Sequence, residues 1–432
     1  GRTASILLNV PGTPAHSIVC VDGYPMAQQG RAGVALLMTA IASFVGASVG
    51  ILLMMLISQP LASVALSFGP WEYFSLMVLG LIAASAVSDG RVLKALAMVV
   101  LGVTFGVAGL DGYTGTPRFT FGVLELTDGI SLAALAMGVF GVAEMITSAR
   151  TVGKGTAVAD VTMRSMRPTR DDVRRSVLPM LRASGIGSLI GVMPGVGPAL
   201  ASFLSYAAEK RIARDPSRFG KGAIEGVVAP EAADNAAEQT AFIPTMSLGI
   251  PGSASMALIL GVLMIHGITP GPSMITEKPE MFWGLVMSFW IGNVLLMILN
   301  VPFIGLWIRL LTIPYRILYP SILVFICIGV FSIKNSIFDI YMVLLFGCFG
   351  YILRVLGFPL IPLLLGFILG PLAEDNFMRS MMLSRGSFAD FFTRPVSGTL
   401  FAMTGAFLLW AIWRWYQRSG RAGIARDKAP AV

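Results

Sequence analysis

The sequence predicts an all-α polytopic membrane protein of about ten membrane segments, with inverted repeats, a re-entrant hairpin and broken helices. Three observations predict it: an apolar composition, apolar windows of spanning length, and Pro-Gly breaks that recur inside those windows. Of 432 residues, 55% are hydrophobic and only 12% charged, against roughly 25% charged in an ordinary globular domain. Mean hydropathy is +0.78. Windows near the roughly 20 residues that cross a hydrocarbon core cover Val34 to Ser58, Tyr73 to Ser88, Val92 to Leu110, Ile130 to Ala149, Ser176 to Tyr206 and Phe242 to Ile268. They continue over Met281 to Ile308, Tyr319 to Ile333, Ile337 to Val355, Pro359 to Leu372 and Thr399 to Trp415.

The net charge of +8 lies in loops between these spans and not on a basic domain. That is the pattern of cytoplasmic loops, and it excludes nucleic acid as a partner. Cys20, Cys327 and Cys348 stand isolated in apolar surroundings without metal spacing and read as small core residues. The chain opens at Gly1 with neither an initiator Met nor a basic region before an apolar run, so it reads as a fragment entering mid-element without a signal peptide.

Residues 1–148 form the remainder of a first repeat, opening with a broken helix over residues 1–20. "NVPGTPAHSI", Asn9 to Ile18, has a counterpart in "GIPGSASMAL", Gly249 to Leu258. Each holds a Pro-Gly pair followed by a hydroxyl residue, Thr13 in one and Ser253 in the other. A second punctuated stretch follows each, "DGYPMA" at Asp22 to Ala27 and "HGITPG" at His266 to Gly271. Gly46 and Gly50 have the spacing that lets helices approach closely. Glu144 is a carboxylate in an apolar segment, read either as functional or as an interfacial partner of Arg150.

Residues 149–175 are rich in Arg and Lys and are assigned to the cytoplasm. The second repeat, residues 176–415, opens with a hairpin over residues 176–206, because Pro194, Gly195, Gly197 and Pro198 stop a helix rather than bend it. Glu209 to Lys221 is again basic, so the run between the two loops enters and returns. Gly187 and Gly191 repeat the close-contact spacing. "GVGPAL" and "GKGAIEG" lack the context of a nucleotide-binding loop. Ala229 to Pro244 sets Glu231, Asp234, Asn235 and Glu238 just before a broken helix over residues 239–268. They read either as a solvated helix face or as ligands for Na⁺, with Asn235 the best candidate. Residues 416–432, after Trp415, form a cytoplasmic tail whose Gly, Ala and Pro content predicts disorder.

Matched Gly/Pro interruptions in two halves of a membrane protein point to a transporter binding site. The start of a half-helix offers free N–H groups to an anion, and freed carbonyls hold a cation. The expected substrate-binding residues are therefore Asn9, Pro11, Gly12 and Thr13, then Pro194, Gly195, Val196 and Gly197, then Gly249, Pro251, Gly252 and Ser253. Asn9, Asn235 and Ser253 are expected to hold the coupling ion, Na⁺ or H⁺, and no other cofactor is expected. His16 and His266 are the only histidines; a Ser253/His266 dyad has no nucleophile motif around it, so no enzyme is expected. A channel or a non-transport membrane scaffold is the alternative.

These residues resemble the large membrane subunit of the bacterial tripartite tricarboxylate transporters. The resemblance rests on "LLNVPGTP", "DGYPMAQQGRAG", "RFTFGVLELTDGI", "GSLIGVMPGVGPALASFLSYAAEK", "FGKGAIEGVVAPEAADNAAEQ", "SLGIPGS", "HGITPGP", "LLLGFILGPLAEDNFMRS" and "RPVS", in that order. It implies a permease of the bacterial inner membrane, working with a small four-helix-type membrane subunit and a periplasmic solute-binding protein. It also implies uptake of an organic carboxylate coupled to Na⁺ or H⁺ without ATP hydrolysis, consistent with the lack of a G-x-x-x-x-G-K-[ST] loop. Family members usually begin with a further segment carrying an earlier Pro-Gly hairpin, and they tend to have two asparagines where Asp234 and Asn235 stand and small residues where Glu238 and Gln239 stand. By analogy with transporters that pair hairpins with broken helices, access alternates by an elevator-like displacement.

Overall fold

The computed structural model describes residues 2–9, 13–87, 92–151, 165–193, 197–268, 270–311 and 315–426. Its helices are α1 (Arg2–Leu8), α2 (Pro14–Gln28), α3 (Ala32–Ala65), α4 (Pro70–Val87) and α5 (Val92–Gly106). After two short strands come α6 (Leu132–Ala136), a π-helical turn (Met137–Val142) and α7 (Ala143–Thr151). The middle of the chain forms α8 (Arg170–Gly191), α9 (Gly197–Ile212), α10 (Glu225–Thr240), α11 (Phe242–Leu248) and α12 (Ala254–Ile265). Then follow α13 (Pro272–Thr276), α14 (Pro279–Asn300), α15 (Ile304–Leu311), α16 (Tyr315–Lys334), α17 (Ile337–Val355), α18 (Ile361–Leu383), α19 (Asp390–Thr393) and α20 (Pro395–Arg426).

Among the described residues, five helices are long and apolar enough to cross a membrane: α3, α14, the stretch from Ile317 to Lys334, α17 and α18. Five shorter apolar helical stretches accompany them, in α4, α5, α6 with its π-helical continuation, α12 and α20. With no water to satisfy a spanning backbone, helix is the form such segments take. At 34 residues, α3 is about 50 Å long and exceeds a bilayer core of roughly 30 Å.

The chain divides into two compact units, each drawn from three separate stretches. The first comprises Gly1–Leu66, Gly153–Met256 and His266–Ile317. Its centre is α10, whose alanine-rich sequence is strongly helix-forming; Val227, Val228, Ala229, Ala232, Ala233, Ala236 and Ala237 are fully buried. Helices α3, α8, α9 and α2 all pack around it.

The second unit comprises Ser67–Val152, Ala257–Ile265 and Leu318–Val432. There α5 and α18 meet backbone to backbone, a Cβ built on Gly102 lying 2.1 Å from the Leu363 carbonyl. Antiparallel strands Gly109–Leu110 and Pro117–Arg118 hold a loop beside the middle of α18. Arg118 pairs there with Glu374 at 2.6 Å and Asp111 at 3.2 Å, and Tyr113 donates to Asp375 at 2.5 Å. Tyr113, Arg118, Glu374 and Asp375 line a cavity of about 200 Å³. The backbone N–H of Tyr113 holds the Asp111 carboxyl below the usual carboxylate range.

The structure bears on several expectations. "DGYPMA" does not interrupt its helix: α2 runs through Pro25 to Gln28, and Asp22 and Gly23 are buried. Glu144 pairs with Arg354; the Arg150 side chain lies outside the described residues. Cys348 is exposed and Cys20 and Cys327 are half-buried, because an apolar neighbourhood in a membrane protein includes its outer surface as well as its core. Helix α20 continues past Trp415 as far as Arg426.

Candidate functional site

The site is built on α10. Gly46 and Gly50 of α3 face Ala232 and Ala236, while Gly187 and Gly191 of α8 face Ala233 and Ala237. A Cβ at Gly46 would lie 2.2 Å from the Ala232 carbonyl oxygen, and one at Gly187 2.2 Å from that of Ala233. Both close-contact motifs therefore serve one helix, and their ascending order shows that α3 and α8 run parallel to α10.

Helix α9 returns alongside α8. Arg182 grips Glu209 with two hydrogen bonds of 2.8 and 2.6 Å, and the two residues lie equally far on either side of the break. The elements expected as a hairpin thus pack as antiparallel neighbours. Ser202 of α9 donates to the Pro230 carbonyl at 3.2 Å, so the start of α9 at Gly197, about 7 Å further along, falls level with Asp234 and Asn235. Pro194, Gly195 and Val196 lie outside the described residues.

The two matched breaks share a local geometry. Asn9 ends one helix with φ 55° and Gly249 ends the other with φ 71°, a left-handed turn that closes a helix. Thr13 then occupies the N-cap of α2 in extended conformation. Ser253 accepts from the backbone N–H of Met256 at 3.3 Å, capping α12. Pro11 and Gly12 lie outside the described residues, Asn9 and Thr13 are exposed, and Pro251, Gly252 and Ser253 are buried. A Cβ on Gly252 would sit 3.2 Å from both the Gly191 carbonyl oxygen and the Ala241 Cβ, which sets the second break against the last turn of α8.

Both breaks meet the polar face of α10. Arg2 of α1 pairs with Glu231 at 2.9 Å, and Ser43 of α3 donates to the same oxygen at 2.7 Å. The Nδ1 atom of His16 lies 2.6 Å from the Thr13 hydroxyl, while its Nε2 faces Asp234 at 3.9 Å and Glu231 at 4.0 Å. Two turns further along α10, Glu238 accepts from Ser253 at 3.4 Å. The solvated-face reading of this helix is overturned, since Glu231 is only 3% exposed. Asn235 donates to the Glu231 carbonyl at 2.9 Å, so its amide nitrogen is committed to its own helix. His266 is exposed and has no part in this geometry.

A further buried carboxylate escaped the sequence reading. Asp22 Oδ1 accepts three backbone N–H groups, from Gly220 at 2.8 Å, Gly222 at 2.9 Å and Ala223 at 2.8 Å. Tyr206 donates to its other oxygen at 2.9 Å. Gly220 and Gly222 take φ of 88° and 97°, which curls the "GKGA" loop into an anion nest. Both motifs are visible in the sequence, but nothing there links residues two hundred positions apart.

Broken helices meeting on a buried polar helix within a multi-pass helical protein define a membrane transporter. The chain belongs to the tripartite tricarboxylate transporter TctA family, which it matches over residues 1–365; it is the large permease subunit of such a system. It is 48% identical over 403 residues to the "Uncharacterized 52.8 kDa protein in TAR-I ttuC' 3'region" of Agrobacterium vitis, covering 93% of this chain and 80% of that protein. It is 53% identical over 217 residues to the "Uncharacterized protein in TAR-II ttuC' 3'region" of the same organism, covering 50% of this chain and 90% of that one. No solved structure matches.

Proposed function

We propose that this permease carries a small di- or tricarboxylate across the bacterial inner membrane by secondary transport coupled to Na⁺ or H⁺. The solute arrives from a periplasmic binding protein, and a small membrane subunit completes the complex. One observation carries the reading: the starts of α2, α9 and α12, each following a break, come together on the same half of α10. Each start offers backbone N–H groups to carboxylate oxygens, at Thr13, at Gly197 and at Gly252 to Ser253. Backbone donors accept any carboxylate, which leaves selection among acids to the binding protein. The acidic residues of α10 beside those donors suit a cation that travels with the anion.

Gly252→Leu is the test. Its side chain would have to displace the Gly191 carbonyl and Ala241, both in contact with a mere Cβ. In the full complex, uptake of radiolabelled succinate, malate and citrate is expected to be abolished, while immunoblots show the protein inserted at wild-type level. Wild-type uptake by this variant would refute the site.

A further inference from the structure

Glu231, Asp234 and Glu238 stand at successive turns along one stripe of α10. Among the described residues, the groups that face the stripe are Arg2 from α1, His16 from α2, Ser43 from α3 and Ser253 at the second break. Arg2 balances Glu231. His16 is too far from either carboxylate for a hydrogen bond. Three carboxylates therefore face one guanidinium and one imidazole: two negative charges stay unbalanced with the imidazole neutral, and one even with it protonated.

A second observation points the same way. Glu231 is 97% withdrawn from solvent, being 3% exposed, yet its Oε2 has no hydrogen-bond partner among the described residues. That oxygen is the one turned toward His16. A buried carboxylate oxygen without a donor is costly, and a positive charge is what would satisfy it. Among the described residues no three acidic, His or Cys side chains gather as a metal centre. Carboxylates spaced a turn apart instead suit a single monovalent charge shared between neighbours.

We propose that this stripe is the binding site of the coupling cation, a single positive charge supplied as a proton or as Na⁺, with Glu231 Oε2 and Asp234 Oδ2 as its first contacts. The inference deepens the proposed function and rests on it for the coupling, though not for the binding. Neutralising the stripe removes the repulsion that a carboxylate meets on entering the breaks, so cation and anion each raise the other's affinity. Glu238, bonded to the Ser253 that caps α12, ties the charge on the stripe to the second break.

The test needs no substrate. Purified protein in detergent is assayed for binding of radioactive Na⁺ at about pH 8. Without Na⁺, it is assayed for proton uptake between about pH 9 and 6, where a solvated carboxylate does not titrate. Wild type is expected to bind Na⁺, or else to take up about one proton more than the Asp234→Asn/Glu238→Gln double variant; whichever signal appears identifies the source. Each single variant, checked for folding by gel filtration, is expected to weaken the same signal. Equal Na⁺ binding and equal proton uptake in wild type and double variant would overturn the assignment, as would neither signal in wild type. If the site binds but the matching gradient drives no carboxylate uptake in proteoliposomes, the site stands and the proposed coupled transport falls.

Discussion

Gly185 and Gly187 lie two residues apart on α8, and the same substitution in each should act in opposite directions. A Cβ on Gly185 meets nothing within 4 Å, so Gly185→Ala leaves packing untouched and gains helix propensity, about 0.5–1 kcal/mol. A Cβ on Gly187 would lie 2.2 Å from the Ala233 carbonyl oxygen and 2.7 Å from its Cα. Both atoms belong to the backbone of α10 and cannot swing aside, so the helices must part by about 1 Å to restore contact near 3.4 Å. Overpacking of this kind costs about 1–3 kcal/mol or more, which exceeds the propensity gain. Gly185→Ala is thus expected to raise, and Gly187→Ala to lower, the midpoint of thermal unfolding followed by size-exclusion chromatography in detergent. Equal shifts of the two, or a rise for Gly187→Ala, would refute the backbone contact between α8 and α10.

Asp22→Ala strands three backbone N–H groups and is expected to cost several kcal/mol, at about 1–3 for each buried donor; Asp22→Asn keeps an acceptor oxygen and should retain much of the stability in the same assay. Arg182→Ala leaves Glu209, 4% exposed, without its partner. Loss of one member of a buried pair costs about 3–5 kcal/mol, reduced here because Arg182 is itself 34% exposed, and Arg182→Ala/Glu209→Ala should recover part of that loss. The low-lying Asp111 carboxyl makes its contribution above the ordinary carboxylate range and loses it only as pH falls through the depressed value. Amide protection at Tyr113 and Thr114 should therefore persist to pH 4 or so and fall only below that.

Composition and hydropathy were enough to identify a helical membrane protein, because twenty-residue apolar windows have few other uses. The close-contact glycines were also legible, since only glycine lets two backbones meet as α8 and α10 do. The matched breaks could be read from Pro-Gly and hydroxyl spacing alone, and the structure adds that Asn9 and Gly249 share a left-handed turn. Long-range partnership was not legible. Carboxylates on an alanine-rich helix look alike whether solvated or buried, and Glu231 is identified as buried by partners as distant as Ser43 and Arg2, 188 and 229 positions away. "DGYPMA" misled in the same way: Gly and Pro read as punctuation, whereas α2 continues through them with Asp22 anchored in a loop far along the chain. Asn235 drew attention as a candidate ligand; its amide nitrogen bonds to its own helix, and the atom a cation would meet is its oxygen.

The anion nest around Asp22 also sets a timetable for biogenesis. The residues that receive this carboxylate lie 198 to 201 positions later in the chain. At about 5–20 residues per second, the ribosome delivers them roughly 10–40 s after Asp22 itself has emerged. Throughout that interval α2 carries an acidic side chain that its own chain has not yet covered. Until the loop arrives, water must shield it, and α2 cannot settle into its final packing before the segment leading into α10 has been made.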